Sequence, residues 1–558
     1  MPSYAMQTIE LPKNLCNNID KLNRNFLWGD STFKKKIHLI NWDQVCLPKN
    51  KGGLGIRKAS HHNHALIAKL GWKILNDDHS LWTVILKKKY LHKRSFFDWP
   101  LGKRGSPLWK SIVKTRDTLR LGTKWTIGDG NKASLWNDWW CGTQPLANTS
   151  PGPHTNTHNT VNTIINEEGD WNLNPIASHL SPTDIANIHK VKLPQFVTFP
   201  DKPHWTGSSQ GRFSSKSTYG LIINVEDHNF CWNWIWKLKI PQKLKGFLWL
   251  VMHGRLLTNK LRVSRGFDSN DLYPRCHSNG ESMSHLLRDC YYSRELWENL
   301  KNDQWIKDGI DKPLDVWLSF NLCDKTKLAS INWNIWFTVT LWFIWKGRNK
   351  TIFDNCDVHI SDSLRLVFQY TQEIHEAFQC PLSSDHQRIK LINWLPPSTG
   401  NIKLNADGCV KESLGKVGFG GLFRDAKSSW ILGYSGKLDA ATSLEAEIWA
   451  IYRGTTIIHE KGWRNVITET DCQDVVNLIN DRAHPNCPYR ALMEDIKFLT
   501  SRMDYTIKHI FREANKCADA LAHMGENQVE DLKIYEDSPI SLRPILVADM
   551  VGIVYERD

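Results

Sequence analysis

No stretch of this sequence is long and apolar enough to span a bilayer. The most apolar run, Ile331 to Trp345, is about fifteen residues and includes Asn332 and Asn334, whereas a membrane helix needs roughly 20. It reads as a buried helix. The start, MPSYAMQTIELPKN, lacks the charged-then-apolar layout of a secretory signal. Cysteine forms no framework either: 13 residues, odd in number and scattered, point to a reducing compartment rather than to disulfides. No internal repeat is visible, so the length does not come from a tandem array. These absences lead us to expect a soluble protein of the nucleus or cytosol, neither secreted nor membrane-bound.

A chain of 558 residues exceeds a single core and implies three or four domains. Apolar content of 41% is ample for burial. Tryptophan is abundant, at 27 residues. Large core anchors are the plain explanation, with a base-stacking platform open to a few of them. Net charge is +13, and residues 1–140 hold 25 Lys and Arg against 10 Asp and Glu, including Lys34–Lys36 and Lys87–Lys89. Residues 398–525 hold 16 of each. A basic region of this kind favours a polyanion such as nucleic acid, although a solvated charged face has the same composition.

Trp and Leu recur at helical spacing through residues 1–140, with a turn at Lys51-Gly52-Gly53-Leu54-Gly55. Residues 141–204, rich in Asn, Thr, Pro and His, read as a linker or poorly ordered segment. A compact unit at 205–300 ends in a Cys/His cluster. Helices and then a linker with Pro396-Pro397 occupy 301–397, a last domain spans 398–525, and 526–558 form a tail. In the last domain Ile402, Leu404 and Ala406 alternate with Lys403, Asn405 and Asp407, the period of a strand with one polar side. Strands from Gly418 and from Trp430 follow at short connections, as in an antiparallel meander. A helix from Ser443 to about Glu460, a strand Asn465–Glu469, a helix from Cys472, a helix over about 490–501, a strand Tyr505–Ile510 and a final helix from about Asn515 complete it. The expectation is a multidomain chain, helical in its N-terminal and central regions. Its C-terminal α/β domain is expected to carry a five-stranded mixed sheet.

Four carboxylates in that domain, Asp407, Glu447, Asp471 and Asp519, fall at strand ends and helix starts, where an α/β sheet places its site. Gathered there, they would repel one another unless divalent metal were bound. Glu447 has a rival in Glu445. Leu444, Ile448, Ile451, Thr455 and Ile458 form the apolar stripe of the helix. At about 100° per residue Glu447 lies about 60° from its centre and Glu445 about 100° on the other side. Glu447 therefore meets the sheet rim, and Glu445 reads as solvated. Asp471 serves equally well as an N-cap, and Asp407 alone would pass for a turn residue.

The segments LNADG, AEIWAI, ETDCQDVV and HIFREANKCADALA resemble the four motif blocks of type 1 RNase H, in the reverse-transcriptase-associated form found in plants. The resemblance covers about 125 residues and implies an RNase H-like fold. It also implies that Asp407, Glu447, Asp471 and Asp519 hold two Mg²⁺ ions, with Mn²⁺ as a substitute. The implied reaction is hydrolysis of the RNA strand of an RNA–DNA hybrid. His509, ten residues before Asp519, stands where the family places a mobile histidine that assists metal or product departure, although a half-buried strand histidine looks the same. Asn515 stands where the family often contacts substrate, and capping alone also explains it. The family's basic protrusion is expected to be absent, since Asp481 to Pro488 carries only Arg482.

Cys276, His285 and Cys290 have the spacing C-x8-H-x4-C. With GRFSSKSTYG, IWKLKIPQKLKGFLWLVMHGRLLTNKL and ESMSHLLRDC, they resemble the zinc-binding module of reverse transcriptases in plant non-LTR, LINE-type retrotransposons. That family expects one more cysteine three positions before Cys276, where this chain has Tyr273. Zn²⁺ is thus in doubt: three ligands remain where a structural zinc wants four, and His277 is awkwardly adjacent. A metal-free helical remnant is the favoured expectation. Upstream, SYAMQTIELPKNLCNNIDKLNRNFLWGD, INWDQVCLPKNKGGLGIRKA and NHALIAKLGWKIL resemble the region that follows the polymerase core. No YxDD-like aspartate pair occurs, and Asp77-Asp78 lacks that context. The chain reads as the C-terminal part of such a polyprotein, a ribonuclease acting on RNA–DNA hybrids with no obligate protein partner. The alternative is a catalytically inactive nucleic-acid-binding relic.

Overall fold

The computed structural model describes residues 3–557 apart from 32, 77–78, 93–94, 101–104, 151–158, 224–231, 301–311, 380–389, 412–414, 440, 481–483 and 502. The Asp77-Asp78 pair and Arg482 lie outside the described residues. The chain divides into two compact units. No helix of the described residues is long and apolar enough to cross a membrane.

One unit comprises Leu11–His62 and Ile223–Asp385 and is helical. Its axis is the helix Trp333–Asp354, whose residues Trp333 to Leu341 are all buried. A helix apolar on every side belongs inside a core. The rings of Trp297, Trp317 and Phe337 meet there at 4.9–5.7 Å, so these tryptophans are core anchors. Glu281 and Arg348 form a buried ion pair at 2.6 Å, and Arg348 also donates to Asn259 Oδ1 at 3.3 Å. The pair fastens the Cys/His-bearing loop to the long helix.

The other unit comprises Met1–Glu10, Asn63–Ile222 and His386–Asp558. Strand Thr123–Thr126 pairs antiparallel with Lys202–Trp205. Between them Trp136, Trp140, Val161, Ile164 and Ile188 bury one another through turns and short helices. The buried Asp201 carboxylate accepts backbone N–H groups from Gly128, Gly130, Lys132 and Ala133 at 2.7–3.0 Å. Four donors on one carboxylate order that loop without regular structure.

The last domain contains β1 (Ile402–Lys411), β2 (Lys416–Arg424), β3 (Trp430–Leu438), α1 (Ser443–Lys461), β4 (Asn465–Thr470), α2 (Gln473–Asn480), α3 (Arg490–Thr500), β5 (Asp504–His509) and α4 (Lys516–Gly525). The sheet runs β5-β4-β1-β2-β3 and ends in a sixth strand, β6 (Leu532–Tyr535). β1, β2, β3 and β6 are antiparallel neighbours, whereas β4 lies parallel to both β1 and β5. The five-stranded expectation is therefore corrected to six. β6 is only four residues long, with a weak pattern, and it forms because the edge of β3 would otherwise leave its ladder groups unpaired. Beyond it, α5 (Arg543–Val551) packs near α4, and Tyr555–Arg557 pairs with Lys390–Ile392.

Within this unit α3 docks on the Asn63–Ile222 part. Asp495 accepts from the backbone of Gln195 and Phe196 at 3.1–3.2 Å, and Phe498 stacks on Phe196 at 5.3 Å. Asn486 exchanges amide hydrogen bonds with Asn76. Glu445 faces Lys124 and Tyr489 across the same seam and is partly buried, which corrects its reading as solvated. Helical periodicity registers the stripe on the sheet but not a second packing partner.

Candidate active site

Asp407 lies in β1 opposite Gly420 of β2. Glu447 sits in the second turn of α1, whose start is capped by Thr442 accepting from the Glu445 N–H at 3.2 Å. Gly408 brings the two together. A Cβ there would stand 2.4 Å from the Ala446 carbonyl carbon and the Glu447 nitrogen, so only glycine lets α1 lie this close to β1. Gly420 does the same for α4, where a Cβ would meet the Leu521–Ala522 backbone at 2.6 Å. Asp471 follows β4 directly, and Asp519 falls in the first turn of α4.

One oxygen each from Asp407, Glu447 and Asp471 lies within 4.8 Å of the others. Asp407 and Glu447 are 4% and 6% exposed. Burial first, then Glu447, Asp471 and Asp519, push the Asp407 carboxyl well above the usual carboxylate range. Burial and then Asp471 push Glu447 up to about 8, although hydrogen bonds from Thr470 and the Gly408 N–H oppose the rise. Oxygen ligands around a Mg²⁺ ion stand about 3–4 Å apart. Crowded buried carboxyls of this spacing fit a divalent cation, because its charge would remove the repulsion.

Asp519 stands outside the trio. Its Oδ1 accepts from Arg512 at 3.1 Å and lies 3.9 Å from His523 Nε2. His509 ends β5 with its Nε2 3.1 Å from the Asp471 carbonyl oxygen. Asn515 is the N-cap residue of α4, but its side chain makes no capping hydrogen bond. Its buried amide donates to the Ala406 carbonyl at 3.0 Å, holding α4 to the residue before Asp407. Sequence reasoning assigned no role to Arg512, although it lies within the HIFREANKCADALA segment. It also assigned no role to Thr470, within the ETDCQDVV segment, whose hydroxyl donates to Glu447 Oε2 at 3.1 Å.

Beneath the site lies a polar layer. Asn405 Oδ1 accepts from Trp394 and Arg424 at 2.9 Å, and its amide donates to Glu469 at 3.0 Å. Lys403 pairs with Glu469, and Arg424 with Asp549 of α5, each at 2.7 Å. The alternating polar side of β1 is therefore buried. Covering it requires this many partners, since an unpaired buried charge is costly.

In the helical unit Cys276, His285 and Cys290 also converge, one ligand atom of each within 4.8 Å of the rest, with Cys276 Sγ 3.3 Å from His285 Nε2. The donor types fit Zn²⁺, but a four-coordinate site needs one more. Tyr273 is fully buried with its ring 5.6 Å from that of His285, and among the described residues its hydroxyl meets no hydrogen-bond partner. His277 is exposed at φ 52° and does not join the group.

Residues 405–525 match a family described as reverse transcriptase-like, and residues 213–297 one described as zinc-binding in reverse transcriptase. An Arabidopsis thaliana protein provisionally named a ribonuclease H protein is 31% identical over 100% of this chain and 92% of its own length. The chain belongs to this plant ribonuclease H-type family of reverse-transcriptase relatives. A mitochondrial protein of Arabidopsis thaliana, of uncharacterised role, is 35% identical over 25% of this ribonuclease H-type chain and 92% of its own length. Among solved structures, RNase H1 of the archaeon Halobacterium salinarum is 21% identical, covering 23% of this chain and 97% of that one at a TM-score of 0.22. LC11-RNase H1, solved with an RNA/DNA hybrid, is 20% identical over 23% and 96%, at 0.21.

Proposed function

We propose that this chain is a divalent-metal-dependent ribonuclease that cuts the RNA strand of RNA–DNA hybrids. The convergence of Asp407, Glu447 and Asp471 within 4.8 Å carries the reading. Two Mg²⁺ ions would activate the attacking water and stabilise the leaving 3′ oxygen. Asp407, on β1, would hold the ions together with Glu447, Asp471 and Asp519. Thr470 and the Gly408 N–H orient Glu447. Arg512 offsets the charge of Asp519 and would offer a cation to a bound phosphate. His509, at the rim, assists departure of the cut strand. Asn515 positions α4 and, through it, Asp519.

Grip on the hybrid comes from the basic residues of the same unit. Between Asn63 and Trp140 the chain holds 15 Lys and Arg against 6 Asp and Glu. Phosphate contacts from that segment lead to hybrid binding that weakens steeply with salt.

The test is a labelled RNA–DNA hybrid with and without Mg²⁺, using the parent and Asp407→Asn. Cleavage by the parent alone, and only with metal, is expected. Binding without cleavage by either protein overturns the enzymatic reading in favour of a nucleic-acid-binding relic. The action is expected in the nucleus or cytosol, as part of a LINE-type element product.

A further inference from the structure

A second set of metal-ligating side chains lies behind the carboxylates. Cys409 follows Asp407 by two residues on β1 and so shares its face of the sheet. His523 and Glu526 are three apart at the end of α4, on one helix face. One ligand atom each from Cys409, His523 and Glu526 lies within 4.8 Å of the others. Cys409 Sγ and His523 Nδ1 each stand 3.7 Å from Glu526 Oε2. With Zn–S of about 2.3 Å and Zn–N or Zn–O of about 2.0 Å, ligand atoms of a tetrahedral site are about 3.3–3.5 Å apart. The thiol and the imidazole each need to close on Glu526 Oε2 by only a few tenths of an ångström.

The surroundings suit a cation. The Glu526 side chain is 3% exposed; its Oε1 pairs with Lys411 Nζ at 3.6 Å, and its Oε2 faces the half-exposed His523. Asn527 donates to its other oxygen at 3.2 Å. Cys409 is buried, with its Sγ 3.7 Å from Glu526 Oε2. Half-exposed His523 leaves an entry path.

We propose that Cys409, His523 and Glu526 form a binding site for a soft divalent cation, Zn²⁺ in particular, separate from the four-carboxylate cluster. Binding forms Zn–S, Zn–N and Zn–O bonds and releases the Cys409 proton to solvent, as metal-bound thiols do. His523 ligates through Nδ1, the atom that faces Glu526. Its Nε2 then carries the proton on the side of Asp519 Oδ1, 3.9 Å away, and would need to close on that oxygen to form the carboxylate–histidine–metal arrangement that fixes a ligand's tautomer. If the proposed nuclease reading holds, an occupied site draws Asp519 toward His523 and away from its Mg²⁺ role. Zn²⁺ then acts as an inhibitor from outside the reaction centre.

The test is a Co²⁺ titration of the full-length protein in Mg²⁺ buffer, alongside Cys409→Ser and the surface variant His523→Ala. The difference spectrum between the parent and Cys409→Ser isolates this thiol from Cys276 and Cys290. We expect a thiolate-to-cobalt charge-transfer band in that difference, saturating at about one equivalent and displaced by Zn²⁺. His523→Ala, whose exposed side chain leaves folding untouched, should weaken Co²⁺ binding roughly tenfold or more. Indistinguishable titrations of parent and Cys409→Ser, or undiminished affinity in His523→Ala, overturn the proposal. An inactive chain that keeps the band sinks the nuclease reading and leaves this site standing.

Discussion

At the scale of single residues, the carboxyl cluster makes stability depend on pH in a direction opposite to the usual one. Glu447 rises from its ordinary 4.5 to about 8, and Asp407 rises as well. A carboxyl with a raised folded-state pKa keeps a proton that the unfolded chain releases. Stability is therefore full below about 4.5, declines as pH climbs toward about 8, and levels off above. With chelator present, the melting temperature should fall across that window, and Mg²⁺ should remove most of the decline. A level profile in chelator would show that the carboxyls do not crowd. Arg512 gives a second prediction. Its guanidinium is 71% exposed, so Arg512→Ala should change stability by less than about 1 kcal/mol. It should also tighten Mg²⁺ binding by about two- to fivefold, by freeing Asp519 from a competing cation. Calorimetric titration of the metal reads the effect. The acidic residues themselves were legible from their motif segments, although Asp407 lies mid-strand in β1 rather than at its end. The roles of Arg512 and Thr470 were not, since what each side chain meets depends on the fold rather than on its place in a motif segment.

At the scale of elements, the contact of α1 with β1 decides whether Glu447 can meet Asp407. Gly408→Ala keeps every acidic group but places a methyl 2.4 Å from the α1 backbone. It should destabilise the protein by about 1–3 kcal/mol and lower hybrid cleavage at least tenfold, measured by denaturant unfolding and by turnover. Unchanged cleavage would mean that α1 can shift without moving Glu447. The elements of this domain were legible almost to the residue: α1 runs Ser443–Lys461 and β4 Asn465–Thr470, where period and caps place them. The burial of Lys403 and Asn405 was not legible, because alternation signals a polar side without saying whether water or protein covers it. The core built on Trp136 and Trp140 also escaped, since residues fixed by turns and by the Asp201 carboxylate show neither helical nor strand period.

At the scale of the molecule, the ribonuclease H-like domain reaches beyond its motifs. α5 lends Asp549 to Arg424, and Arg424 in turn holds Asn405, two residues before Asp407. Asp549→Ala leaves Arg424 buried without its counter-charge and should cost about 3–5 kcal/mol, read by thermal unfolding. A loss below about 1 kcal/mol would mean that the last helix is a passive passenger. The pattern of residues 526–558 is weak because α5 and β6 draw their stability from the sheet they cover rather than from their own sequence.

The amino-acid sequence alone determined the succession of strands and helices, the neutrality of the last domain beside a basic N-terminal region, and the four acidic positions. Those properties are written in local period, local charge and local turn chemistry. Only the folded chain decided which acidic groups meet, that Asp519 rests on Arg512, that a thiol, an imidazole and a carboxylate gather behind them, and that the edge of β3 takes a sixth strand. Each of these depends on surfaces brought together from distant parts of the chain, and no short window of residues encodes such a meeting.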